Sequence, residues 1–251
     1  MMTRLTSAFA AFAATSLIAS SAFAVDTLEA FDKGLTDVEM TVSAGNLNLD
    51  REFKTFGSEI VLGAGLPGTL NLTAGLSLEG DGYLNGVGAA SLGLFSTVVD
   101  TEHFDLDVML NGAMDGSAIE IAPGFELNVD SKDELAGFGF FTQVALPLTH
   151  RDTEDGKGEI AVDLKLTPGV YYSLADRHQV LVGTEMTAHL NAEDGQDSFQ
   201  FNSVELGYNV FILRNLELLA SAGVAFDQGK DEDKLGFQAS FGFIATLPSV
   251  D

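Results

Sequence analysis

The sequence contains no cysteine and no tryptophan. Without cysteine the chain forms no disulfide and no zinc site of the Cys type, so its fold depends on backbone hydrogen bonds and buried apolar surface. This excludes a small disulfide-stapled module. The four histidines, His103, His150, His178 and His189, are scattered and form no H-x-x-x-H pair. We therefore expect neither a bound metal nor a cofactor.

Basic residues are also scarce. The chain has 12 Lys and Arg against 37 Asp and Glu, which gives a formal net charge of −25 at pH 7. Binding to the phosphates of nucleic acid requires clustered Lys and Arg. Nucleic acid is therefore excluded as a partner.

The N-terminal residues have the pattern of a cleavable secretory signal peptide. Arg4 precedes an apolar run from Ala8 to Ala19, and Ser20 to Ala24 end in an A-x-A pattern. The run is shorter than the roughly 18 apolar residues that a membrane-spanning helix needs. We predict a signal peptide over residues 1–24, a short N-terminal segment over 25–35 and one domain over 36–251.

After about residue 36, apolar residues recur at every second position, as in Leu70, Leu72, Ala74, Leu76 and Leu78. A period of two is typical of strands with one apolar and one polar face. The pattern predicts an all-β fold of about twelve strands, within a range of 10 to 14. The predicted strands lie near 37–49, 58–66, 70–78, 86–99, 103–112, 117–129, 135–149, 160–172, 178–191, 199–213, 216–226 and 235–247.

The lengths of the strands and of their connections favour an antiparallel transmembrane barrel. A tilted strand needs roughly 9 to 11 residues to cross a bilayer, whereas soluble strands usually have about 5 or 6. Tight turns predicted at 66–68, 100–102, 175–177 and 214–215 largely alternate with longer polar connections, as a membrane barrel requires. The longer connections are predicted at 50–57, 79–86, 111–117, 150–158, 191–198 and 227–234, and 130–135 is an exception among the turns.

Over about residues 36–247 the chain resembles the single-chain, porin-like β-barrels of the Gram-negative outer membrane, without pointing to a subfamily. The resemblance implies an outer-membrane location, contact with lipid and lipopolysaccharide, and recognition by the barrel insertion machinery; it leaves the oligomeric state open. Because tryptophan is absent, an aromatic girdle would use phenylalanines and Tyr83, Tyr171, Tyr172 and Tyr208. The C-terminal series Phe237, Phe241, Phe243 and Leu247 resembles the signal that the insertion machinery reads, displaced by a short tail.

If the apolar series faces lipid, nine charged or titratable residues face the lumen by parity: Asp105, Asp107, Glu120, Glu126, Asp163, Lys165, Glu185, His189 and Glu217. Such a lumen favours cations over anions. The competing interpretation is that these side chains pair across strands and fill the interior. Counting from the turn at 175–177 places Lys165 nearly opposite Glu185. His189 shares a parity with Glu185, which predicts that it lies near Asp163.

No signature of a catalytic site is present, so we do not expect an enzyme. The acidic connections lack the spacing of an EF-hand and are interpreted as solvated loops. Three functions remain open. They are a passive channel for small solutes that prefers cations, a closed-lumen barrel with a structural or adhesive role, and a secreted or periplasmic β-sandwich that binds a ligand.

Overall fold

The structure is a computed structural model of the 251-residue chain. It describes residues 34–46, 55–66, 70–81, 86–101, 103–116, 118–131, 136–152, 158–174, 177–191, 198–213, 215–228 and 233–247. The predicted signal peptide, most of the 25–35 segment and Tyr83 lie outside these ranges.

Thirteen β-segments make up the described fold, and two of them, β7 and β8, are halves of one barrel strand separated by Leu146 and Pro147. The prediction of twelve strands is therefore confirmed. The bounds are β1 Gly34–Asn46, β2 Thr55–Gly65, β3 Leu70–Asp81, β4 Gly86–Thr101, β5 Phe104–Asp115, β6 Ala118–Asp130, β7 Ala136–Ala145, β8 Leu148–Asp152, β9 Gly158–Leu174, β10 His178–His189, β11 Phe199–Leu213, β12 Leu216–Gln228 and β13 Asp233–Thr246.

Each strand pairs antiparallel with its neighbours in the sequence, and β13 pairs with β1, so that the sheet closes on itself. Closure leaves no edge with unpaired backbone groups, which is what lipid demands of a sheet. A β-sandwich has two separate sheets, so that alternative is wrong. No helix within the described ranges is long and apolar enough to cross a membrane.

The two ends of the barrel differ. One end, here called the turn end, carries the short connections after β2, β4, β6, β9 and β11. The start of β1 pairs with the end of β2, and the end of β13 pairs with β1 near Asp37, so both chain ends of the barrel also lie there. The other end, here called the loop end, carries the remaining connections.

One predicted connection is wrong. A loop was expected over 111–117, but β5 continues to Asp115 and β6 begins at Ala118. Gly116 reverses the chain within this short connection by adopting a φ of 55°, a conformation that glycine takes without a steric penalty. The predicted polar loop is therefore mostly strand.

The wall of the barrel has an apolar outer face and a mixed inner face. Along β10, Val180 and Val182 are exposed while Leu181 between them is fully buried. The predicted aromatic girdle is corrected at one residue, because Tyr171 points into the barrel and is 5% exposed, whereas Tyr172 and Tyr208 are on the outer face. A strand alternates sides, so two adjacent tyrosines cannot both face lipid.

Candidate functional site: the lumen of the barrel

None of the nine residues predicted from parity belongs to the exposed, apolar outer face. Asp107, Glu126, Lys165 and Glu185 are buried, and Asp105, Glu120, Asp163, His189 and Glu217 are partly accessible. The side of the wall that each residue takes follows from the alternation of side chains along its own strand. Whether ions pass along them stays a prediction.

Two of the predicted carboxylates stand directly opposite each other, Asp107 on β5 and Glu126 on β6. The Thr97 hydroxyl donates to Asp107 Oδ1 at 2.6 Å. Gln143 Nε2 donates to Glu126 Oε2 at 3.3 Å, and Asn128 Nδ2 donates to Glu126 Oε1 at 3.2 Å. Like charges on facing positions repel. The two carboxylates are thus surrounded by neutral hydrogen-bond donors, which offset part of their mutual repulsion.

A second group of polar residues lies at the loop end. His189 pairs with Asp163 in the register, and its Nδ1 lies 2.6 Å from Asp163 Oδ1, as parity suggested. Thr149 donates to Glu120 Oε2 at 3.1 Å. Two further carboxylates, Glu79 and Asp115, lie close enough to repel each other. This end of the lumen, here called the acidic mouth, is defined by Glu79, Asp115, Glu120 and Asp163.

The prediction that Lys165 lies nearly opposite Glu185 is corrected by two residues. Lys165 pairs with Thr187, and Glu185 is a diagonal neighbour whose charge Lys165 still attracts. Asn202 Nδ2 donates to both Glu185 Oε1 and Thr187 Oγ1 at 2.7 Å. The connection 175–177 sets Leu174 opposite His178, and the ladder keeps this register, so that Lys165 falls opposite Thr187.

The parity argument missed several inward carboxylates. Glu59 and Glu205 are buried, and Glu39 lies close enough to Glu59 and Glu217 for repulsion. Each of the three adjoins an outward apolar residue, so the same alternation would have found them. In the described part of the chain, the buried acidic residues are Glu59, Asp107, Glu126, Glu185 and Glu205, and the one buried basic residue is Lys165.

A ring of inner-face positions, one on every strand, runs around the wall nearer the turn end. Each ring member is either the direct partner of its neighbour in the strand register or lies two residues away from that partner. The displacement always has the same direction along the barrel. From one strand to the next, the ring shifts along the strands by about one residue on average. A strand tilt of about 40° requires this shift if the ring members are to lie at the same height along the barrel axis. The path returns to its start after passing every strand. This ring, here called the belt, consists of Glu39, Gly63, Asn71, Phe95, Asp107, Glu126, Phe141, Tyr171, Leu181, Asn209, Leu219 and Ile244.

The belt is tightly packed. The eight members from Asn71 to Asn209 along the ring are each 5% exposed or less. Phe141, Tyr171 and Leu181 form one buried apolar cluster. The next inward positions toward the loop end are glycine on six strands, at Gly93, Gly124, Gly169, Gly183, Gly207 and Gly242. The large side chains of the belt are therefore followed by a level that is rich in glycine.

Glycines make room for the belt side chains. A Cβ at Gly169 would overlap the Phe141 ring, and a Cβ at Gly207 would lie 2.7 Å from Leu181 Cδ1. Real Cβ atoms do not approach that closely, so these side chains can adopt their positions only against glycine. Within the described residues, no group of three or more His, Asp or Glu is arranged to hold a metal ion.

Known structures share this architecture at low sequence identity. The NanC porin superposes with a TM-score of 0.62 at 7% identity, covering 84% of this chain and 100% of that one. The COG4313 outer membrane channel from Pseudomonas putida F1 gives 0.59 at 13% identity, covering 88% and 98%. The KdgM porin in complex with disordered oligogalacturonate gives 0.58 at 6% identity, covering 84% and 99%. No protein-family model and no curated protein sequence matches the chain.

These likenesses and the closed sheet define the class: the chain has the fold of the outer-membrane β-barrels, with twelve strands.

Proposed function

We propose that the protein is an outer-membrane channel through which small solutes pass passively, with cations favoured over anions. The outward face is apolar along strands long enough to cross a bilayer, which suits a wall in contact with lipid. The NanC, KdgM and COG4313 barrels are named as porins or channels, which favours passage over catalysis. The proposal includes no enzymatic step.

The observation that carries the cation preference is the imbalance of charge on the inner face. Five buried carboxylates accompany one buried lysine, and four more carboxylates form the acidic mouth. Charges of one sign in a low-dielectric passage raise the local concentration of the opposite ion. A polyanion such as the oligogalacturonate bound by the KdgM porin would be repelled here.

Reversal potentials in a planar bilayer test this proposal. Under a KCl gradient, the native chain should give a reversal potential of the sign expected for potassium. Changing Glu120→Gln together with Asp163→Asn should move it toward zero, because both carboxylates line the acidic mouth. The control is Glu159→Gln, which removes an exposed charge at the start of β9, farther out than Asp163.

Anion preference of the native chain would contradict the charge argument. A correctly inserted barrel without conductance would favour the closed-lumen barrel, an alternative that the low exposure of the belt also supports.

A further inference from the structure

We propose that the belt is the constriction that decides which solutes pass, and that it favours small organic cations over hydrated inorganic ions. This inference rests on the proposed function as a channel. It assigns the selection of solutes to Phe141, Tyr171 and Leu181 together with Asp107 and Glu126, and leaves the acidic mouth the role of collecting cations.

The first argument is size. A barrel of twelve strands is wide enough to leave a passage if its inward side chains are small, but bulky side chains can fill it. At the belt, the side chains of Phe95, Phe141, Tyr171 and Leu181 have almost no exposed surface. The next level toward the loop end has six glycines and no aromatic residue, although Gln143 and Met109 at that level are buried as well. A solute must therefore displace belt side chains to pass.

The second argument is chemistry. The apolar sector formed by Phe141, Tyr171 and Leu181 continues along the belt into Glu126 and Asp107, the two facing carboxylates. Among the belt members none is basic. A hydrated alkali ion would have to give up water against an apolar wall, which is costly. An organic ammonium ion presents apolar surface to that wall, gains attraction from the aromatic faces and is drawn by the carboxylates.

The third argument is that the belt side chains can be displaced by local movement. Phe141 and Leu181 pack against Gly169 and Gly207, which have no side chain to block their movement. The Gln143 amide, which donates to Glu126, also lies 3.5 Å from Met109 Sδ, a weak contact with a flexible side chain. Side-chain rotation against glycine and methionine needs no change in the backbone ladder.

The test uses the full chain in planar bilayers, with KCl on one side and tetramethylammonium chloride on the other. For the native channel we expect the permeability of tetramethylammonium relative to potassium to exceed the ratio of their mobilities in water. In Phe141→Ala with Leu181→Ala, KCl conductance should rise severalfold and the permeability ratio should fall to the mobility ratio. The matched control is Phe140→Ala with Val182→Ala, adjacent residues on the outer face, which should leave both quantities unchanged.

Correct folding is checked for every variant by its altered migration in SDS without boiling. If removal of the Phe141 ring prevents folding by uncovering Gly169, Leu181→Ala alone serves, with Val182→Ala as its control. Asp107→Asn with Glu126→Gln gives an independent measurement, because it should lower the tetramethylammonium permeability without raising KCl conductance.

The outcomes separate the two proposals. A native channel that conducts and is unaltered by the belt changes, or one whose permeability ratio lies at or below the mobility ratio, would overturn the belt inference and leave the channel intact. A native chain that is silent while the double alanine variant conducts would show that the belt seals the lumen, and would overturn both the selection of solutes at the belt and the proposed channel. If the native chain and every belt variant are silent after correct insertion, the proposed function and this inference both fail.

Discussion

Replacement of Leu206 by arginine tests whether the outer face meets lipid. Leu206 is the central residue of β11, seven residues from each end, and its side chain is 54% exposed on the outer face. Seven residues rise about 18 Å along the barrel axis at about 3.3 Å per residue and a tilt of about 40°. The apolar band of such barrels is about 25 Å tall, so Leu206 lies near its middle and the ends of β11 lie outside it.

Arginine at the middle of the band costs about 2 to 4 kcal/mol, which falls to about 0 to 1 kcal/mol at the interface. Because 1.4 kcal/mol is a factor of ten, Leu206→Arg should lower the ratio of folded to unfolded protein by about 30- to 700-fold. The control is Leu213→Arg at the end of the same strand, where leucine is 58% exposed and the change should cost little.

The assay is a urea titration of protein refolded into phospholipid vesicles, with the folded fraction read from the unboiled band in SDS. Equal costs at Leu206 and Leu213 would refute the reasoning, because the two leucines are about equally exposed but lie at different depths, Leu213 following a register shift after Phe211.

Two glycine substitutions test the packing of the wall with the same titration. Gly169→Ala should cost about 1 to 3 kcal/mol, because the new Cβ overlaps the Phe141 ring and lies 2.8 Å from the Val182 carbonyl oxygen. Gly112→Ala, whose Cβ would meet its nearest atom at 3.8 Å, should be tolerated, and equal losses at the two sites would contradict the account of the belt. Gly116→Ala should cost about 1 kcal/mol through its positive φ alone, since nothing lies within 4 Å, and Gly116→Asn should cost less; a larger loss with asparagine would be inconsistent with a purely conformational effect.

The number of strands and the face that each residue occupies were predictable from the sequence, because alternation is a property of a single strand. Asp107, Glu126 and Glu185 were placed on the inner face by parity alone. Where the prediction of a cross-strand partner was wrong, the exact geometry of the turn decided. The sequence count placed Lys165 nearly opposite Glu185, but the paired strands set it opposite Thr187.

The height of a residue in the barrel could not be predicted, because it depends on the stagger accumulated around the closed sheet. Phe95 and Leu181 share the belt although they lie on strands that do not touch. Their common level exists only once every register between them is fixed. The parity of a residue shows whether it can line the lumen. The registers of the closed sheet show which inner-face residues lie at the same height.

A weaker signal of the belt is nevertheless present in the sequence. Its apolar members sit where alternation fails, because an inward apolar residue necessarily adjoins outward apolar ones. The doublet at 140–141 is one case, with Phe140 at 40% and Phe141 at 2% exposure. The other breaks are Leu94 with Phe95, Tyr171 with Tyr172, Leu181 between Val180 and Val182, Leu218 with Leu219, and Phe243 with Ile244.

An apolar side chain on the inner face gains nothing from lipid and occupies space that a channel needs open. Inward apolar side chains nevertheless occur on the neighbouring strands β7, β9 and β10, and each packs against a glycine. Their presence therefore indicates a constriction more strongly than the acidic residues do. Carboxylates on an inner face also suit a hydrated, filled barrel, whereas Phe141 over Gly169 and Leu181 over Gly207 narrow the passage at one level. We therefore expect the channel to select among solutes at the belt, where inward apolar residues interrupt the alternation of apolar and polar side chains.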